Sequence, residues 1–216
     1  MDLSGNDHAG TLQAGAVSVG SVTGNGAVWS VAYVGGTTGT QISWGASSIP
    51  STFTICSITR YSGATKQRVL QCRDRNWLHA HWSSRAGATH YEGAGDWETY
   101  WVSPNTKWVV ACGRNIQTPG SAGTIINGVV TSTAEGGVGN CELVINPPQR
   151  GEPSDWQLSK VYVWNTHLPN SLFAQASSRL VKFLNSAEPS YDFSNFWNGL
   201  LNTLIIGAKH LDNYYT

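Results

Sequence analysis

The chain has 216 residues, a length that suits one large β-rich domain. Thirteen basic and thirteen acidic residues cancel, and at 12% charged, about half the usual share for a soluble protein, the chain has no basic stripe for nucleic acid. No apolar run reaches the roughly 20 residues of a transmembrane segment, the stretch from Leu200 to Ala208 falling well short, so any membrane contact would be peripheral.

The 24 glycines and 10 tryptophans suit short strands, many turns and large rigid side chains. Met1 is followed by Asp2 and a Gly-rich polar run, so no secretory signal is expected at this start. From Gly10 to Trp44, short Val/Ala/Trp-bearing strands are expected, broken at Gly24-Asn25-Gly26 and at Gly35-Gly36. Phe53 to Tyr61, Arg68 to Gln71, Trp77 to Trp82 and Ala88 to Tyr91 follow as a predicted meander. Alternation along Trp77 to Trp82 would put Trp77, His79 and His81 on one face and Leu78, Ala80 and Trp82 on the other, a strand covered on both sides. Gly93 to Thr106 is a long aromatic loop, and loops of that length in compact domains often carry function. Trp108 to Cys112, Thr124 to Ile126, Cys141 to Ile145 and Lys160 to Trp164 supply the remaining strands of two sheets packed face to face. After the turn at His167 to Asn170 the period becomes helical, and Ser171 to Leu184 sets Leu172, Phe173, Ala176, Leu180, Phe183 and Leu184 along one stripe. Asn185 to Ser190 breaks that helix, and residues 185–192 read as a linker. A second amphipathic helix is expected in 193–216, with Phe193, Phe196, Trp197, Leu200, Leu201, Leu204 and Ile205 on its apolar face.

Several of these segments, in this order, resemble the laminin-G-like group of concanavalin A-like lectin/glucanase domains. They are Phe53 to Tyr61, Arg68-Val69-Leu70, Asn76 to Trp82, Arg85-Ala86-Gly87, Tyr91, Trp108 to Gly113, Asn127-Gly128, Ser154-Asp155-Trp156 and Val161 to Leu168. Asp2 to Asn6 is similar to the entry strand of such domains. The likeness runs from Asp2 to about Leu184 and implies an all-β jelly-roll sandwich of two antiparallel sheets over residues 1–184, followed by the linker and the C-terminal helix.

Cys56, Cys72, Cys112 and Cys141 fit no metal-ligand spacing, and their even number permits up to two disulfides in three pairings. Cys56 and Cys112 sit inside apolar runs, where free cysteine acts as a small buried hydrophobe, and are expected unbonded. Cys72 with Cys141 is then the bond, if one exists. Bonds would suit an oxidising compartment, and an extracellular or cell-surface location is favoured over an organellar or membrane-associated complex. His79, His81 and His90 could share a face as an H-x-H pair and a third ligand, yet no carboxylate completes the set. They are expected as hydrogen-bonded framework imidazoles, with no metal and no cofactor.

A hydrolase of glycans needs two carboxylates flanking the scissile bond. The glucanase branch carries them as Glu, hydrophobe, Asp and a further Glu, a pattern missing here: Glu92, Asp96 and Glu98 lie in a Gly-rich loop and Glu142 stands alone on its strand. No nucleophile elbow, P-loop or dinucleotide fingerprint occurs, so catalysis is not expected. Sugar binding is: flat aromatic rings stack on pyranose faces while amides and acids fix hydroxyls, and Asp96, Trp97, Tyr100, Trp101 and Asn105 of the loop have that chemistry. The expected role is a non-catalytic glycan-binding or adhesive module. The alternative is a structural or linker subunit of a larger assembly, docked on a protein partner through the stripe from Phe193 to Ile205.

Overall fold

The computed structural model describes residues 8–93, 101–133 and 136–186, with the backbone of 98–99. The first strands are β1 (Thr11–Ala14), β2 (Ser18–Gly24), β3 (Ala27–Gly36), β4 (Gln41–Ser43), β5 (Thr54–Tyr61) and β6 (Leu70–Cys72). Five two-residue strands follow: β7 (Leu78–His79), β8 (His81–Trp82), β9 (Arg85–Ala86), β10 (Ala88–Thr89) and β11 (Glu98–Thr99). β12 (Val109–Arg114), β13 (Ala122–Ile126), β14 (Val129–Thr133), β15 (Leu143–Ile145) and β16 (Trp156–Trp164) precede the helix α1 (Asn170–Asn185). The strands form an antiparallel seven-stranded sheet, β14-β13-β12-β5-β16-β3-β2, facing a five-stranded one, β1-β4-β15-β6-β7; β8-β9 and β10-β11 pair separately.

Strand β5 sits mid-sheet between β12 and β16 and is buried at all eight residues. Its side chains alternate between two cores. Ile55 and Tyr61 join Leu70, Leu143 and Trp156 between the sheets, while Cys56 and Ile58 join Phe173 and Leu180 beneath the helix. β16 does the same with one interruption: Leu158 and Val161 both face the inter-sheet core although three residues apart. A register shift between Leu158 and Lys160 absorbs the extra residue and resets the alternation.

The helix covers the outer face of the seven-stranded sheet with Phe173, Ala176, Leu180 and Leu184, the stripe read from the sequence. No side chain caps its start. Instead the buried Arg114 ties that end down, donating to the Leu168 carbonyl, to Asn170 Oδ1 and, at 2.8 Å, to the Ala122 carbonyl, with its guanidinium 4.5 Å over the Phe173 ring.

Several expectations change. Phe53 to Tyr61 does not open a meander, because β5 and β6 belong to different sheets. Gly35 and Gly36 end β3 instead of breaking it; a Cβ at Gly36 would stand 2.5 Å from that of Thr40, so close backbone approach explains the glycine. Trp77 to Trp82 is not one strand, since Ala80 adopts φ 73° and divides it into β7 and β8. β14 was not anticipated at all. Cys56 and Cys112 are bonded, against expectation: they stand opposite one another on β5 and β12 with Cα atoms 4.1 Å apart, a cross-strand register that neither apolar run reveals alone. Cys72 and Cys141 form the second bond, so none of the four is free. Residues 187–216, including Phe193, Phe196, Trp197, Leu200, Leu201, Leu204 and Ile205, lie outside the described residues.

Phe173 is fully buried between the helix and the sheet and carries the Arg114 stack. Phe173→Ala should cost about 3–5 kcal/mol of unfolding free energy, read from chemical denaturation curves; a loss below about 1 kcal/mol would mean that the helix adds little to the core.

Candidate functional site

The segment 77–91 lies against the inner face of the seven-stranded sheet and delivers a hairpin to the surface. His79 and His81 anchor it. His79 Nε2 donates to the Ala111 carbonyl at 3.2 Å and Nδ1 accepts from the Tyr91 hydroxyl at 2.8 Å; Gly113 leaves room for that hydroxyl, which would stand 1.7 Å from a Cβ there. His81 Nδ1 lies 3.3 Å from Thr59 Oγ1, its ring edge-on to Tyr61. Burial pushes both imidazoles down to about 3, so they are neutral at neutral pH. The three histidines do not share a face: Leu78 bridges His90, which puts the His90 side chain on the Leu78 side of the chain, away from His79. Among the described residues no three His, Cys, Asp or Glu side chains gather to hold a metal ion.

Beyond Ala80 the chain turns out as the β8-β9 hairpin. Ser83 and Ser84 form its two-residue turn, both at positive φ, 49° and 64°, the backbone of a tight type I′ connection. Trp82 and Arg85 therefore face each other across it. The Arg85 guanidinium carbon lies 4.8 Å from the Trp82 ring centroid and 5.5 Å from that of Trp101. Trp101 is 69% exposed, yet its backbone neighbour is fastened, Val102 N donating to the Ala86 carbonyl at 3.0 Å. Asn105 closes the cluster: Nδ2 donates to the Ser84 carbonyl at 2.8 Å and Oδ1 accepts from Lys66 Nζ at 3.0 Å. On the other flank Glu152 accepts from Trp82 Nε1 at 3.1 Å and pairs with Arg68 Nε at 2.7 Å.

Trp101 and Asn105, two of the five loop residues expected to bind sugar, thus meet in one surface cluster. Asp96, Trp97 and Tyr100 lie outside the described residues. Trp82, Arg85, Lys66 and Glu152 were not anticipated as site residues; the one local signal was the two-residue spacing that sets Trp82 opposite Arg85.

Three further described carboxylates are engaged. Glu142 takes two 2.7 Å hydrogen bonds from Arg73 and one from Ser43, and the Arg73 bonds hold its carboxyl below the usual range. Glu92 pairs with Arg75 at 3.3 Å, and Asp155 accepts from the Thr38 and Thr65 amides.

No protein-family model matches this sequence, and no curated protein matches it. The fold is similar to that of domain 4 of AbnA, a GH43 extracellular arabinanase from Geobacillus stearothermophilus, solved in complex with arabinotriose. That likeness has a TM-score of 0.54 and 12% sequence identity, over 81% of this chain and 91% of that one. At that identity it is a likeness of fold.

The two buried histidines make stability depend on pH. An unfolded chain binds protons at these rings below about pH 6.5, whereas the folded chain does not until about pH 3. Unfolding free energy should be flat above pH 7 and fall as pH drops below 6.5, by roughly 1.4 kcal/mol per unit for each ring. His90 and His167, lowered chiefly by burial, push the same way. Urea titrations between pH 7.5 and 4.5 measure the slope, and no change across that range would contradict neutral buried imidazoles.

Proposed function

We propose that this chain is a non-catalytic binding module of concanavalin A-like, laminin-G-like jelly-roll architecture that takes a glycan on the Trp101 surface. The observation that carries the reading is an indole left 69% exposed on fastened backbone, beside Arg85, Lys66 and Asn105. An exposed ring gives a sugar an apolar platform, and convergent polar groups at its rim supply orientation. The aromatic loop composition and the fold likeness to a domain solved with arabinotriose support the same reading. Lack of catalysis fits Glu142, a charged carboxylate spent on Arg73 and Ser43 and poorly suited to donate a proton.

A second reading, a structural subunit of a larger assembly, is favoured by the apolar residues on strands β1, β2 and β3. Leu12, Val19 and Val28 are exposed there, and among the described residues β1 and β2 lie at sheet edges, the position from which a strand can pair with another chain. Under that reading sugars are irrelevant and these strands face a protein.

Trp101→Ala should weaken binding to an immobilised glycan at least about tenfold, equivalent to about 1.4 kcal/mol. The thermal midpoint should hardly move, because exposed positions contribute within about 0.5 kcal/mol. Incubation with glycan polymers should release no reducing ends. A glycan array silent for the native protein would defeat this reading in favour of the assembly one, and turnover lost on Glu142→Gln would defeat the non-catalytic assignment.

A further inference from the structure

Arg85 is the cation of the cluster that stacks on its aromatic rings. Its guanidinium carbon lies near both the Trp82 and the Trp101 rings, while its five N–H donors meet no acceptor among the described residues. The ion pairs among those residues are Arg68 with Glu152, Arg73 with Glu142 and Arg75 with Glu92, so Arg85 shares none. Glu152, the carboxylate that the described residues bring to the cluster, is committed to Arg68 and Trp82. Lys66 meets the neutral Asn105 amide, which leaves its charge unbalanced among the described residues. Ring stacking removes water from a guanidinium without neutralising it, and a half-buried cation gains most from an anion that its edge can reach.

We propose that the Trp101 surface selects a carboxylate-bearing saccharide, a uronate-containing glycan, over neutral sugars. This rests on the glycan-binding reading and names its ligand class. A uronate places a planar carboxylate on the pyranose ring. With the apolar face of that ring on Trp101, the carboxylate accepts in fork geometry from the Arg85 edge. Lys66 adds positive potential beside it without a fixed bond geometry, and Asn105, held by Ser84 and Lys66, keeps the rim in place. A neutral sugar would gain the stacking and leave the guanidinium edge unpaired. A lysine in place of Arg85 would supply charge without the planar fork.

The test uses the full chain and soluble oligosaccharides of galacturonate, glucuronate, mannuronate and guluronate, each with its fully methyl-esterified counterpart, which keeps the ring and removes the charge. Calorimetry at low salt should show at least tenfold tighter binding of the acid than of the ester for at least one of the four. Raising the salt should narrow that gap, as expected for a surface charge contact. Arg85→Gln should bring the acid-to-ester ratio close to one, Arg85→Lys should retain part of it, and Trp101→Ala should weaken acid and ester together. Equal binding of acid and ester by the native protein, or a preference that survives Arg85→Gln, would overturn the inference. Binding of neutral glycans or of a sulfated neutral galactan, with none of the uronates bound, would overturn it while leaving the glycan-binding reading intact. Binding of no glycan at all would remove both.

Discussion

Burial of β5 on both faces is the constraint on which the rest of this structure depends. All eight of its residues are shielded from water, so each neighbour must supply a partner layer on two sides. Ile55 and Tyr61 need an opposing sheet, and Cys56 and Ile58 need a cover beyond it, which the helix provides. Fully burying a side chain of this kind contributes about 1.5–3 kcal/mol, and β12 and β16 repeat the arrangement on either flank. The bulge in β16 is the cost of keeping Leu158 and Val161 in one core, and the Cys56 to Cys112 bond joins β5 to β12 on the helix side.

The surface cluster inherits its rigidity from that core. Segment 77–91 is pinned from below by the packing of Trp77 and by His79, His81 and Tyr91, whose polar atoms meet Ala111, Thr59 and each other. Because the imidazoles are neutral and hydrogen-bonded, they contribute packing and direction without a buried charge. The positive φ of Ala80 then turns the chain from the core to the surface, and the Ser83-Ser84 turn sets Trp82 against Arg85. A surface held this way would have little ordering entropy left to lose on binding a ligand.

What was legible in the sequence follows from the range of the signal. Phe53 to Tyr61 as a strand, Gly24-Asn25-Gly26 as a hairpin turn between β2 and β3, and Phe173 to Leu184 as a helical stripe all express a period or turn within a few neighbouring residues. The break at Ala80, the course of β3 through Gly36 and the separation of β5 from β6 into different sheets do not, because each answers to a contact made by a distant segment. His90 shows the limit well: the alternation that relates His79 to His81 says nothing of which side a residue across a bridge will take.

By itself the sequence determined a mostly β chain, the helix after β16 and the aromatic stretch carrying Trp101 and Asn105, though not the strand β11 within that stretch, since composition and periodicity are properties of local stretches. Only the tertiary structure decided that Cys56 meets Cys112 and that His79 donates to the Ala111 carbonyl. It also decided that Trp101, Lys66, Arg85 and Asn105, up to 39 positions apart in the case of Lys66 and Asn105, form one surface. Those pairings depend on strand register and on which face of which sheet a segment crosses, and both are set by long-range packing that no single stretch of the chain encodes.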